Sequence, residues 1–331
     1  MRHAILGAGG VGLAVGAALS RAGHEITLVM REASRARYPG LIAVRSRLRG
    51  DHRAAARAVD RLEEPVDVLW VTVKAPALEA ALERVAPGAA PDSVVPLLNG
   101  LDHPAVLRAR FGNRQLVGAI RVEAERTAPG EVTWNSLFAE VSLAPDTPDS
   151  PPGTGPVTGP AAPEGPAGAR LTLLAEALTD AGIGCVPQQD AATVLWHKLV
   201  LLLPLALATT AVDGPLGAVR RDPGTAALLR EAAREACAVA AAESVAVDAR
   251  RLLHTLDTLP GRTDTSLHRD VTAGVRPSEL AALTEPVLRR ARDHRVPVPA
   301  IAELARGAGD RERRAAVVAP HRSTDSKGET S

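Results

Sequence analysis

Aromatic side chains make up only 2 % of this 331-residue chain: three Trp, one Tyr and two Phe. So few rings leave no stacking platform for a single-stranded nucleic acid. The charge balance offers no pull on polyanions either. With 39 Lys and Arg against 38 Asp and Glu, the formal net charge is +1, too small to draw nucleic acid or an anionic membrane. Cys185 and Cys237 are the only cysteines, without Cys-x-x-Cys or Cys/His spacing. That argues against a disulfide framework and a zinc site, predicts no metal, and makes a reduced, cytoplasmic setting the default. No secretory signal is expected, because glycines break up the apolar N-terminal residues. The most apolar run, Leu199 to Val212, falls short of the roughly 18 residues of a spanning helix, and Pro204 interrupts it. It reads as a helix buried in a protein core.

Glycine is plentiful, and its placement at the start of the chain is informative. In Ile5-Leu6-Gly7-Ala8-Gly9-Gly10-Val11-Gly12, a short apolar strand (Ala4 to Leu6) enters Gly-x-Gly-x-x-Gly, and the helix-forming Leu13 to Arg21 follows. In a Rossmann turn Gly7 makes the tight bend, Gly9 admits a pyrophosphate, and Gly12 lets helix and strand pack closely. The helix N-terminus, at Gly10 and Val11, offers free N–H groups to the anion. Gly23-His24 closes the helix and Glu25 to Met30 reads as a second strand, so a dinucleotide site is predicted. Arg31 is the first polar side chain at that strand's tip. An acid there would hold the ribose of NAD, whereas an Arg accommodates a 2′-phosphate, so Arg31 favours NADP(H). Glu32 is also within reach of the ribose, and a solvated Arg–Glu pair is the plain structural alternative.

Further along, Val66 to Val73 has the continuous apolar character of a buried parallel strand. Pro76 to Val85 reads as a helix, Val94 to Leu98 as a strand ending at Asn99-Gly100, His103 to Phe111 as a helix and Gln115 to Arg121 as a strand. Val132 to Phe138 and Glu140 to Leu143 read as antiparallel strands around a short turn. Pro145 to Gly168, saturated with Pro, Gly, Thr and Asp, is expected to be a flexible surface insertion. Leu171 to Ala181 is a predicted helix and Gly184 to Pro187 a last strand. Helices are then predicted over Ala192 to Val212, Gly224 to Ala246, Asp248 to Leu259 and Ser278 to His294, with a shorter one over Ala300 to Arg306. The fold class is α/β: an N-terminal Rossmann-type dinucleotide-binding domain over 1–188 and an all-α substrate domain over 189–318. The polar tail, 319–331, is expected to be disordered.

Ligands of open α/β sheets bind outside the carboxyl ends of the strands, which here carry the glycine loop, Arg31, Lys74 and Asn99-Gly100. Lys74 suits cofactor or substrate contact, or simple solvation. Asn99-Gly100 is a strong turn former as well as a candidate ligand contact. Lys198 stands out because Leu195-Trp196-His197-Lys198-Leu199-Val200 surrounds it with mostly apolar neighbours. Desolvation there lowers an ammonium pKa, which suits protonation of a ketone oxygen as hydride arrives; a lysine that snorkels to solvent is the alternative. His197 points about 100° away on a helix and is read as structural. Glu279 opens a helix, where the dipole favours a carboxylate with no catalytic task. Ser266 and Asp270 would not stand out alone.

Together these residues resemble the ketopantoate reductase (2-dehydropantoate 2-reductase) family over about Met1 to Arg306. The likeness is carried by the glycine turn, Arg31, Val73-Lys74-Ala75, Asn99-Gly100, Leu195-Trp196-His197-Lys198-Leu199, Ser266-Leu267-His268-Arg269-Asp270, Ser278-Glu279-Leu280 and Arg289-Arg290-Ala291-Arg292. The resemblance implies a two-domain enzyme that reduces a 2-oxo acid with NADPH on the route to pantothenate and coenzyme A. It implies Arg31 as the 2′-phosphate contact, Lys74 and Asn99 as cleft residues near cofactor and substrate, and Lys198 as donor to the substrate carbonyl. It also implies Glu279 as the carboxylate orienting substrate and lysine, and Ser266 as a substrate-binding hydroxyl.

The family usually has asparagines four and eight residues after the lysine, where this chain has Leu202 and Ala206. Losing polar partners there alters discrimination among substrates. Three readings follow: a 2-dehydropantoate reductase, a reductase of a less polar 2-oxo acid, and a nucleotide-binding protein with little turnover. Retention of both Lys198 and Glu279 argues against the last. A homodimer is left open.

Overall fold

β1 (Arg2–Leu6) is the middle strand of a five-stranded sheet, with four of its five residues buried. The computed structural model describes residues 1–136, 138–146 and 165–318. α1 (Gly10–Arg21) leads to β2 (Glu25–Val29), which pairs in parallel with β1; α2 (Glu32–Arg35) follows. β3 (Leu41–Arg45), β4 (His52–Ala55) and β5 (Arg57–Val59) precede β6 (Val68–Val71), whose residues are all buried. α3 (Leu78–Leu82), β7 (Ser93–Pro96) and α4 (His103–Phe111) complete this part. The sheet order is β5-β2-β1-β6-β7, all parallel. Alternation along the strands divides the packing. Ile5 and Trp70 join a core with Leu13 and Val15 of α1, while Leu6, Leu69 and Val71 join one with Leu78, Leu82 and Leu107. Both faces are covered, which is why these strands read as continuous apolar runs.

Two smaller sheets flank this one. β8 (Leu116–Arg121), β9 (Ala124–Ala128), β10 (Glu131–Trp134) and β11 (Glu140–Pro145) come next, then α5 (Gly165–Asp180) and β12 (Gly184–Pro187). The expected antiparallel pair over Val132 to Phe138 and Glu140 to Leu143 does not form. β10 pairs with β9 and β3 in a four-stranded sheet, and β11 with β8 and β12 in a three-stranded one. The hairpin forms one strand earlier, at Pro129-Gly130, where Gly130 has φ +73°. The helix read over Pro76 to Val85 is also shorter: a 3-10 turn over Ala75–Ala77, then five residues of α3.

The edges of the expected insertion are ordered structure. Pro145 ends β11, Asp146 accepts two hydrogen bonds from Arg108 at 2.6 and 2.7 Å, and Gly165 begins α5. Its middle, 147–164, and the tail, 319–331, lie outside the described residues.

After β12 the chain is helical: α6 (Ala191–Val212), α7 (Leu216–Arg221), α8 (Pro223–Ala242), α9 (Ala249–Thr258), α10 (Ser266–Thr272), α11 (Leu280–Asp293) and α12 (Pro299–Val318). Asp190 caps α6 by accepting from the Ala192 and Thr193 N–H groups. At 22 residues, with an 18-residue stretch of mean hydropathy 1.8, α6 is longer than its apolar run suggests, and by length and composition alone could cross a membrane. Its Leu203, Ala206 and Leu207 are instead buried against Val239 of α8 and Ile301 and Leu304 of α12. α12 is much longer than the expected Ala300 to Arg306. Buried Glu235 accepts from the Ala300 and Ile301 N–H groups at 2.8 Å and so serves as its cap. Gly307 does not end the helix; it lets α12 cross α6, since a Cβ there would stand 3.1 Å from Ala211 Cβ.

Candidate active site

The glycines at the start of α1 have different surroundings. Gly7 adopts φ +110°, and a Cβ on it would sit 2.7 Å from Val73 Cγ1. At Gly12 a Cβ would fall 2.1 Å from the Gly7 carbonyl oxygen, so this position fixes the strand–helix approach. Gly9 differs: a Cβ there meets nothing within 4 Å, leaving open space above the helix start. No side chain caps α1, and the N–H groups of Gly10, Val11 and Gly12 have no carbonyl one turn earlier to bond. Open space and free donors on one helix end suit the pyrophosphate of a dinucleotide. Arg31, at the tip of β2, is exposed, and its guanidinium has no ion-pair partner among the described residues. The alternative Arg31–Glu32 pair does not form.

The second cluster joins the two halves of the chain. Asn99 and Gly100 follow β7, and Gly100 (φ +98°) lies so close to α11 that a Cβ would be 2.8 Å from the Ala282 carbonyl oxygen. This contact brings Asn99 to the head of α11, where its Nδ2 donates to Glu279 Oε2 at 3.4 Å. Glu279 is 5 % exposed. Burial raises its pKa, opposed by Lys74, the Asn99 hydrogen bond and Lys198, and helped by Asp270. Lys74, just past β6, meets Asp270 Oδ2 of α10 at 2.5 Å. α10 is in turn held to α6, because the Thr209 hydroxyl lies 3.0 Å from that of Thr265, the α10 cap.

Lys198 lies in the second turn of α6 and lines a narrow cleft with Leu98, Asn99, Gly100, Ala119, Leu195, Leu199 and Leu202. The residue keeps some accessible surface, yet protein surrounds its ammonium, and this desolvation lowers its pKa to about 8 against the pull of Glu279. In this conformation the cleft has room for little more than a water molecule. A wider hollow of about 560 Å³ lies between Asp213, Thr272, Arg311 and Arg314, at the other end of α6, and holds none of these residues.

The structure thus brings Lys74, Asn99, Lys198 and Glu279 to one seam between the halves. Ser266 opens α10 one turn before Asp270; it is exposed, and among the described residues its hydroxyl makes no hydrogen bond to these. Leu202 faces the cleft, but Ala206 is buried in the helical core. His197 is exposed, and its Nε2 lies 3.3 Å from the Ala246 carbonyl oxygen, a contact with no link to the site. Among the described residues no cluster of His, Cys, Asp or Glu could hold a metal ion.

Two further residues beside the site, Asp102 and His103, escaped the sequence reading, and Asp270 was named there without a role. Asp270 secures Lys74. Asp102 accepts from Arg289 at 2.7 Å and Arg290 at 3.1 Å, tying the loop after Asn99 to α11. His103, directly behind Asp102, is buried, with neither ring nitrogen hydrogen-bonded among the described residues. Its pKa is pushed down to about 3 by burial and then by the nearby Lys198 charge. The one available signal was position: Asp102-His103 follow Asn99-Gly100 at a strand end.

Residues 3–145 match the family described as "Ketopantoate reductase PanE/ApbA", and residues 190–309 its C-terminal counterpart. A 2-dehydropantoate 2-reductase from Halobacterium salinarum is 28 % identical over 318 residues, covering 92 % of this chain and 97 % of that protein. A PanE/ApbA family ketopantoate reductase from Ralstonia eutropha superposes with TM-score 0.77 at 26 % identity, over 95 % of this chain and 99 % of the other. A D-mandelate dehydrogenase, solved with NADH and anilino(oxo)acetate, shares the fold at TM-score 0.80 and 19 % identity, over 95 % and 99 % of the two chains. With both halves matched in order, this chain belongs to the ketopantoate reductase family and has the fold of an oxidoreductase of that family.

Proposed function

We propose that the protein reduces 2-dehydropantoate to pantoate with NADPH, in the pathway to pantothenate and coenzyme A, in the cytoplasm. The observation that carries this reading is the desolvated ammonium of Lys198, set beside buried Glu279 in the seam between the halves. In this reading residues 1–188 hold the cofactor and 189–318 supply the proton donor. Gly7, Gly9, Gly10, Val11 and Gly12 hold the pyrophosphate and Arg31 the 2′-phosphate, while Lys74 and Asn99 line the nicotinamide end. The bound nicotinamide supplies a hydride to the C2 carbonyl carbon of the substrate. Lys198 hydrogen-bonds the carbonyl oxygen and gives it a proton as negative charge develops there. A donor with pKa near 8 is still mostly protonated at neutral pH and yields its proton more readily than an ordinary lysine. Glu279 orients the ammonium and a substrate hydroxyl, and Ser266 reaches the substrate when the cleft opens to admit it.

A second reading, reduction of a less polar 2-oxo acid, is favoured by one observation. Leu202 faces the cleft, and with Leu98, Ala119, Leu195 and Leu199 it makes much of the wall apolar. A wall of that kind favours an alkyl or aryl side chain over a hydroxyl.

Purified protein mixed with NADPH and a panel of 2-oxo acids separates the readings through the absorbance of reduced nicotinamide. Oxidation with 2-dehydropantoate supports the first, and oxidation only with apolar 2-oxo acids the second. Cofactor binding without oxidation would overturn both and leave a nucleotide-binding protein. Sedimentation of the same sample tests assembly as a homodimer.

A further inference from the structure

His103 has no part in the chemistry above, yet its placement ties it to the site. The loop carrying it is fixed at three points to α11: Asn99 on Glu279, Gly100 against Ala282, and Asp102 on Arg289 and Arg290. At the end of that loop the imidazole is buried to 4 % exposure, with both nitrogens unpartnered among the described residues. An imidazole in that state weakens the fold, since a hydrocarbon of the same shape would carry no desolvated nitrogens. Two charges reach the ring, the Lys198 ammonium and the Asp102 carboxylate. Lys198 in turn faces Glu279 from α11, and Glu279 faces Lys74 and Asp270. Asn99 and Gly100 of the same loop line the cleft with Lys198, and Leu101 shares a core with Trp196 and Leu199 on either side of that lysine, so the loop seats the ring near the Lys198 turn; Leu202, one turn on, offers the amine no hydrogen bond.

We propose that His103 is a positioning residue for Lys198: in the substrate-loaded cleft its imidazole accepts a hydrogen bond from the ammonium, directly or through one water, and aims the remaining protons at the carbonyl oxygen. The proposal rests on Lys198 being the proton donor. The ring does no proton transfer itself: held neutral, with its pKa pushed down to about 3, it is too weak a base to take a proton from the ammonium. Its effect is to favour the charged form of the lysine and to restrict the directions the amine can take.

The test compares His103→Phe, which keeps a ring but no acceptor, with His103→Asn, which keeps a polar group, using melting temperature and the pH dependence of kcat. His103→Phe is expected to melt no lower than the parent, to lose kcat by about tenfold or more and to change KM by less than about threefold. Its alkaline limb, near pH 8 in the parent, is expected to move to lower pH, because the ammonium loses an acceptor. His103→Asn is expected to recover most of kcat and return the limb toward its parental position. An unmoved limb in His103→Phe would overturn the proposal. So would activity that falls only in step with melting temperature, or failure of both variants to fold. Lys198→Ala in the same series keeps the two ideas separate. Full turnover there removes the donor assignment, whereas a dead Lys198→Ala beside an unaffected His103→Phe removes only the role of His103.

Discussion

Lys74 Nζ and Asp270 Oδ2 meet at 2.5 Å, a bond between the end of a parallel strand and a helix nearly two hundred residues later. It fastens the nucleotide half to the helical half beside Glu279, whose pKa feels both partners. Asp270→Asn leaves Lys74 without its anion and removes a negative charge that raises the Glu279 pKa. The variant is expected to lose about tenfold in kcat/KM while staying folded. Steady-state kinetics with circular dichroism checks this, and unchanged kinetics would show the bridge to be a surface pair of little consequence.

The glycines of the first turn are not equivalent. Gly9→Ala is expected to fold with nearly parental stability, because its Cβ enters open space, but to lose cofactor affinity by about tenfold or more where the pyrophosphate must approach. Gly12→Ala is expected to be destabilised, its Cβ being forced against the Gly7 carbonyl 2.1 Å away. Thermal melting with and without NADPH distinguishes the two. Equal loss of stability in both would remove the argument for a ligand at Gly9.

Arg31 stands exposed at the tip of β2 without an ion partner among the described residues. Arg31→Ala is expected to weaken NADPH binding by about tenfold or more while leaving NADH within about twofold. Fluorescence titration with each nucleotide reads the difference. A parallel loss for both would mean that the guanidinium does not read the 2′-phosphate.

Lys198 also imposes a cost on folding. Its pKa falls from 10.5 to about 8 in the folded state, so the unfolded chain binds more protons between those values and stability rises with pH across that window. Below pH 8 the penalty is fully present. Lys198→Met is therefore expected to be about 1–3 kcal/mol more stable at pH 7, the gain being tempered because Glu279 loses a neighbouring cation. Its advantage should shrink as pH rises from 8 to 10.5. Urea unfolding at both ends of the range measures it, and an advantage that does not vary with pH would mean that packing, not charge, is its source.

What the sequence made legible depended on how local the cause was. The glycine turn, the apolar run of β6 and the start of α6 are written in neighbouring residues, and each forms where expected. Lys198 was visible for the same reason, one cation in an apolar stretch. Ala206, paired with Leu202 as a position where the family carries asparagine, shows the limit of spacing alone. Leu202 reaches the cleft, but one turn later the helix has entered the core. Long-range relations left no local trace. Nothing beside Asp270 announces Lys74, and nothing near Glu235 says that its carboxylate caps a helix more than sixty residues away. Strands β4, β5 and β9 were missed because they carry His, Arg, Glu and Ala with little sustained alternation, and their neighbours in the sheet decide their conformation; β3, apolar but only five residues long, was passed over.

The central claim, that Lys198 donates the proton and takes no part in holding the dinucleotide, separates chemistry from binding. The most direct measurement is Lys198→Ala assayed twice in one preparation: for oxidation of NADPH with the best 2-oxo acid of the panel, and for NADPH affinity by fluorescence. Turnover is expected to fall by about a hundredfold or more with affinity within about twofold of the parent. Parental turnover, or a loss of cofactor affinity that accounts for the missing rate, would contradict the account.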